Sequence, residues 1–257
     1  MTGAQAPESA PAPEALSVSS ERPAESAGPA ATPLAGPVWS LRRIRWAPAC
    51  RIVPTRHPAV YLFDRVAQPE DFEALYALEA MTDDRVRDEV GAIGLVAPED
   101  RVFGPGTGPI MAAFTHLNPA GSRFSDGSYG VFYAARERAT AIAETRYHHG
   151  RFLAATREGP MHLPMRLYHV RIDARLHDLR VAGDDIHDPD SYAASQRAGA
   201  RLRSEGSAGV AYRSVRNPGG QCVGLFKPRG ARDCLHAAYL LYIWDGTAFS
   251  GVYQQTD

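Results

Sequence analysis

The sequence predicts a mixed α/β domain (α+β in the way its elements segregate) behind a disordered N-terminal extension. Three stretches carry that prediction. The run Val131-Phe132-Tyr133-Ala134-Ala135 is apolar and of the length of a buried strand. Directly after it, Ala139, Ile142, Ala143 and Tyr147 fall at i, i+3, i+4 and i+8, the spacing of one helix face. Further on, Gly209–Asn217 and Gln221–Phe226 are strand-like segments separated by Pro218-Gly219-Gly220, which reads as a β-hairpin.

In chain order, residues 1–38 are rich in Ala, Pro, Ser, Glu and Gly and poor in large apolar residues. Such a segment cannot bury enough surface to offset its ordering entropy, so it is expected to be disordered. A tether, a partner-binding tail and a passive extension all fit it. The remaining 39–257 are expected to form one domain. Trp39–Trp46 mixes Arg42, Arg43 and Arg45 with apolar residues and reads as a packing arm, with regular structure from about Arg51. Tyr61–Val66 reads as a strand. Pro69-Glu70-Asp71 then opens a helix with acids at its N-terminus and Phe72, Leu75, Tyr76 and Leu78 as its stripe. Residues 98–108 are a Gly/Pro-rich loop, and Met111–Phe114 a short apolar segment. Met165–Ile172 reads as a strand, Asp184–Asp190 as an acidic loop, Tyr192–Ser204 as a helix carrying Gln196, and Leu235–Trp244 as a final strand.

The bulk properties narrow the function classes. The 257 residues are 44% hydrophobic and 22% charged with a net charge of −1, ordinary for a soluble globular protein. That balance gives no overall pull toward nucleic acid or an anionic membrane, and no direct nucleic-acid partner is expected. No apolar run reaches membrane-span length, and no secretory signal opens the chain. Cys50, Cys222 and Cys234 are odd in number and lack CxxC spacing, which fits reduced thiols in a cytoplasmic protein. His177, Asp178 and His187 do not make a metal-ligand pattern, so no metal is expected.

Three polar residues stand out on the loop–strand–helix unit of 118–150. Arg123 offers a guanidinium fork for phosphate or carboxylate. Tyr133 supplies an aromatic face and a hydroxyl. Glu144 is an anion in an Ala-rich helical stretch, where burial is costly without a partner. The order Gly121-Ser122-Arg123-Phe124, Tyr133-Ala134-Ala135 and Ala141-Ile142-Ala143-Glu144 resembles the signature of the RES-domain family, with Ser122 and Phe124 standing where the family has Gly and Trp. The family's closing motif is matched by Gly209-Val-Ala-Tyr-Arg-Ser-Val-Arg216, which makes Ser214 the third of the family's named Arg, Glu and Ser. The resemblance covers roughly Arg51 to Phe226.

That resemblance implies a compact domain like the ADP-ribosyltransferases, with small mixed sheets around an NAD cleft. NAD enters as substrate, with no further cofactor. The implied reaction cleaves the nicotinamide–ribose bond through an oxocarbenium-like transition state. Arg123 would hold the pyrophosphate with Arg65 assisting. Tyr133, beside Phe124, would stack on nicotinamide, Glu144 would serve the ribose and Ser214 would orient the nicotinamide end. A toxin of this family implies an Xre-type antitoxin partner, and a homodimer is compatible with the chain. Hydrolysis or phosphorolysis of NAD, mono-ADP-ribosylation of a protein, and a non-enzymatic interaction module are the three readings carried forward. Arginine-directed transferases carry a second carboxylate two residues before the catalytic one; here that position is Ile142, and Glu137 lies about two helical turns away. This ranks NAD breakdown above transfer.

Overall fold

The computed structural model describes residues 37–56, 62–65 and 90–255. The helix expected over 69–78 lies outside the described residues. Seven strands are ordered β1-β2-β5-β4-β3-β6-β7: β1 Leu41–Pro54, β2 Phe132–Ala135, β3 Met161–Asp178, β4 Gly209–Arg213, β5 Gln221–Leu225, β6 Ala231–Trp244 and β7 Phe249–Gln254. The described helices are α1 Leu62–Arg65, α2 Gly108–Thr115, α3 Arg138–Ala155 and α4 Ala193–Ser204.

Because β1 also pairs with β3, five of the strands form a closed circuit with two narrow seams. β1 and β2 meet at the single pair Cys50↔Ala135. β3 and β4 meet, in parallel, only at His177↔Val210 and Asp178↔Ala211. The long antiparallel ladders β1–β3 and β3–β6 make one sheet, and β2–β5–β4 the other. Beyond each seam the two sheets part, and backbone edges open there onto side chains instead of ladder partners.

Alternation sets where the cores lie. On β3, Tyr168, Val170, Ile172 and Leu176 enter one apolar cluster, with Phe63, Met111, Phe114 and Phe132. The opposite face supplies Leu163, Met165 and Leu167 to a second cluster with Phe124, Tyr212, Leu240, Tyr242 and Trp244. Burial of an apolar side chain of this size contributes about 1.5–3 kcal/mol.

The hairpin β4–β5 forms as expected, in the register Tyr212↔Cys222, and closes through the Asn217 carbonyl accepting from Gly220 N–H. Other expectations are corrected. Leu62–Arg65 is a helical turn, not a strand. Its Asp64 carboxylate accepts from the backbone N–H groups of Gly106 (3.1 Å) and Gly108 (2.6 Å), and Phe63 is fully buried, so the segment serves as an anchor for the start of α2. Carboxylate at a helix N-terminus is favourable, and local hydrogen bonding of this kind competes with strand geometry. The apolar segment at Met111–Phe114 is the middle of α2. Trp39–Trp46 is not an arm beside the domain, since Leu41–Trp46 pairs with Ile172–His177 as the first half of β1. On α3, Thr140 and Ala141 are buried while Ala139 is exposed, because Asn217 Nδ2 donates to Thr140 Oγ1 (2.8 Å) and draws that face toward the hairpin turn.

Gly199 sits within α4 because the helix crosses the backbone of the signature loop there. A Cβ at Gly199 would stand 2.3 Å from the Phe124 carbonyl oxygen. Gly→Ala inside a helix ordinarily stabilises by nearly 1 kcal/mol. Here the sign is expected to reverse: Gly199→Ala costs about 1–3 kcal/mol of overpacking and lowers Tm by roughly 5 °C. A thermal melt checks this, and an unchanged or raised Tm contradicts the close approach.

Candidate active site

The signature loop is built by its own hydrogen bonds. Gly121 has φ +74° and Gly127 φ +103°, left-handed conformations suited to glycine, and both pack against backbone. Ser122 N–H donates to the Ser125 carbonyl at 2.7 Å, and Gln196 Nε2 on α4 donates to the carbonyls of Ser122 and Ser125. Tyr133, on β2, fixes the loop from below. Its hydroxyl accepts from Phe124 N–H at 3.0 Å and shares a 2.9 Å bond with Ser122 Oγ. Burial drives the Tyr133 pKa well up, so the phenol stays neutral and able to donate.

That loop delivers Arg123 into the protein with 4% of its surface exposed. Its Nη1 donates to the carbonyls of Ile186 (3.2 Å) and Asp188 (3.1 Å), and its Cζ lies 4.5 Å from the Tyr192 ring centroid. Arg123 therefore holds the acidic loop 184–190 through backbone carbonyls, while the Asp184 and Asp188 carboxylates engage Arg213 and the N–H groups of Asp190 and Ser191. His187 completes that loop: its Nε2 accepts from Arg213 N–H (3.2 Å) while Nδ1 faces the Gly183 carbonyl (3.2 Å). Both ring nitrogens are thus engaged by backbone, and no group of His, Cys, Asp and Glu fit to hold a metal occurs among the described residues. Arg123 Nη2 and the Tyr192 hydroxyl are buried and make no hydrogen bond. Two unmet donors packed against one another are costly in a closed core and unexceptional in a site that a polar ligand enters.

Glu144 lies on α3 beside this pair. Ser214 Oγ donates to Glu144 Oε1 at 2.6 Å, and the same oxygen accepts from the N–H groups of Arg216 (3.2 Å) and Asn217 (3.0 Å). The hydroxyl is thereby oriented and its proton directed at the carboxylate. Glu144 and Ser214 are thus in direct contact across 70 positions, and Arg123 joins their cluster through Tyr192 and His148. Tyr133 borders it: Tyr212 feels both Glu144 and Tyr133, and after burial and Cys222 these carboxylate and phenol groups push its pKa further up.

Not every expected residue joins. Phe124 is fully buried and edge-on to Tyr212, with ring centroids 4.9 Å apart, so it is core and presents no face to a ligand; its ring is turned inward by the same loop that seats Arg123. Arg65 is exposed at the end of α1 and does not line the cavity beside Tyr133.

Several residues of the cluster are not among those the sequence singles out. Tyr192 packs against Arg123, and its position just before α4 is its only signal. Arg216 stacks on the Tyr147 ring and donates to the Pro189 carbonyl, which also accepts from Tyr147 Oη (3.2 Å). His148 follows Glu144 by one helical turn, its Nε2 3.8 Å from Glu144 Oε2, its ring near those of Tyr147 and Tyr192. The i,i+4 spacing of Glu144 and His148 was the one available clue.

Desolvation, then Arg216, Arg123 and Arg151, lower the His148 pKa from 6.5 to about 4, although its outer edge stays exposed. The unfolded chain therefore takes up this proton first as pH falls, and the stability contributed by the neutral ring is lost between pH 6.5 and about 4. Replacing His148 with Gln is expected to flatten that part of the Tm-against-pH curve relative to wild type. Parallel curves would show that His148 is not held neutral.

A cavity of about 520 Å³ opens where β1 and β2 part beyond the Cys50↔Ala135 seam. Tyr133 and Ser122 line one side; Arg51, Arg166 and Tyr168 of β1 and β3 and Ala112 of α2 line the others. Arg123, Glu144 and Ser214 are not among its walls.

The sheet circuit and the arginine–glutamate–serine cluster thus define an α/β domain with a polar site at the parting of its two sheets. The family model for the RES domain matches residues 98–245, more than half of the chain, and the chain belongs to the RES-domain family. It is 28% identical over 215 residues to "Uncharacterized protein y4oC" of Sinorhizobium fredii (strain NBRC 101917 / NGR234), spanning 80% of this chain and 87% of that one. Among solved structures it is similar to a chain of the crystal structure of the M. tuberculosis MbcT–MbcA toxin–antitoxin complex, with 12% identity and a TM-score of 0.43 over 83% of this chain and 87% of that chain.

Proposed function

We propose that this protein cleaves the nicotinamide–ribose bond of NAD and acts as the toxin of a toxin–antitoxin pair. The observation that carries the reading is the 2.6 Å bond from Ser214 to Glu144, set beside a buried Arg123 whose Nη2 makes no hydrogen bond. A carboxylate fixed by an oriented hydroxyl is suited to ribose hydroxyls and to the positive charge that develops as nicotinamide departs. Ser214 holds Oε1, which leaves Oε2 for the ribose. Tyr133, neutral and anchored, offers its ring at the junction of the cluster and the cavity. Membership of the RES-domain family supports the same chemistry and an Xre-type antitoxin encoded alongside.

In this reading water or phosphate accepts the ADP-ribosyl group. Ile142, two positions before Glu144, provides no second carboxylate to recruit an arginine acceptor, which is what ranks transfer to a protein second. Induced expression in a bacterial host tests the toxin role. Growth arrest with a fall in cellular NAD, relieved by co-expressing the neighbouring gene, is the expected result; toxicity with unchanged NAD would reject it.

A further inference from the structure

The cavity beside Tyr133 is not used by the cluster around Glu144, and its walls have a definite chemistry. Resting on the NAD reading of that cluster, we propose that the cavity is the subsite for the adenosine-phosphate half of the dinucleotide, with Arg51 and Arg166 meeting the phosphate charge. Four observations lead there. The bond to be cleaved must lie at Glu144, which the cavity does not touch, while Tyr133 lines the cavity and its hydroxyl holds the loop that carries Arg123. A dinucleotide reacting at one end needs a second compartment for its other end, and a cavity of about 520 Å³ is of the size that ligand pockets have.

The cavity carries positive charge of its own. Arg123, the residue expected to hold the pyrophosphate, has its Nη1 engaged by the carbonyls of Ile186 and Asp188. Arg51 instead reaches the cavity with Nη1 on the Tyr133 carbonyl (3.0 Å) and a buried Nε that makes no hydrogen bond. Arg166 is oriented there by the Thr55 carbonyl (2.9 Å) and the Tyr168 hydroxyl (3.3 Å). Burial lowers the Arg51 pKa, a cost that an entering anion would offset. Finally, Val53, Ala112 and Val131 give the same cavity an apolar wall on which a flat base can lie.

The register explains why both arginines arrive together. Arg51 stands opposite Tyr168 and Val53 opposite Arg166 in the β1–β3 ladder, so all four project from one sheet face, just past the seam where β2 has left β1.

Calorimetry with ADP on the full chain tests the site directly. Wild type is expected to bind ADP, and both Arg166→Gln, which removes a charge, and Ala112→Phe, which fills the space, to weaken binding about tenfold or more. Cleavage of nicotinamide mononucleotide, which lacks the adenylate half, should stay within about twofold in both variants while KM for NAD rises. The two substitutions lie on different elements and alter different properties, and a melt on each identifies a variant that has lost its fold. Absence of ADP binding to wild type, or wild-type ADP affinity in both folded variants, overturns the proposal. Bound ADP that Arg166→Gln weakens, in a protein that cleaves neither dinucleotide nor mononucleotide, supports the cavity assignment and rejects the chemistry assigned to Glu144 instead.

Discussion

Glu144→Gln is expected to lower the rate of NAD cleavage by about a hundredfold or more while leaving the melting temperature within a few degrees of wild type. The substitution keeps the side chain's shape, and the amide oxygen can still accept from Ser214 Oγ, which in the wild type stands 2.6 Å from Oε1. What disappears is the full negative charge at the reacting ribose. Electrostatic stabilisers of this kind are typically worth about 3 kcal/mol of barrier, which converts to roughly two powers of ten in rate. Because the interaction strengthens as charge develops, the loss should fall on kcat more than on KM. Initial rates of nicotinamide release measure it. A variant that is folded and cleaves NAD at near wild-type rate would remove Glu144 from the mechanism.

The second large effect is expected at Arg123→Lys. One guanidinium nitrogen bridges the carbonyls of Ile186 and Asp188 while the planar group lies on Tyr192, and an ammonium cannot reproduce that geometry. Hydrogen bonds to a charged group contribute about 1.5–3 kcal/mol, and the buried site leaves little water to replace them. The variant should therefore lose stability of that order and show faster amide exchange in 184–190. The same loop carries Pro189, whose carbonyl accepts from Arg216 and from Tyr147 on the helix that bears Glu144, so KM for NAD should rise as well. Unchanged exchange and unchanged KM would show that Arg123 neither braces the loop nor supports the site.

The legible and illegible parts of this chain differ in the range of the forces behind them. The β4–β5 hairpin and α3 were readable because alternation, the Pro-Gly-Gly turn and helical spacing are encoded within a few residues. The first half of β1 was not, because its three arginines obscure the alternation that Ile44 and Trp46 complete only against β3. Leu62–Arg65 misled for the opposite reason: its apolar residues suit a strand, and the carboxylate of Asp64, answering backbone N–H groups more than 40 positions away, decides otherwise. β7 lies in a stretch of weak pattern and is held by β6.

Arg123, Tyr133, Glu144 and Ser214 stand in the motifs, and the structure brings Ser214 directly onto Glu144. Tyr192 and His148 belong to no motif, and Arg216 stands in the closing motif without a role of its own there. The carbonyls of Ile186, Asp188 and Pro189 could not have been found from side-chain identity at all, since every residue has one. Phe124 shows the limit of motif reasoning: its position beside Arg123 was right, but its ring turns into the core.

The central claim is that purified protein cleaves NAD at the nicotinamide–ribose bond. Chromatography of NAD incubated with wild-type protein, with and without phosphate, tests it most directly. The expected result is nicotinamide released in step with NAD loss, together with ADP-ribose or, when phosphate is present, its phosphorylated form. NAD that stays intact through prolonged incubation with folded protein would contradict it.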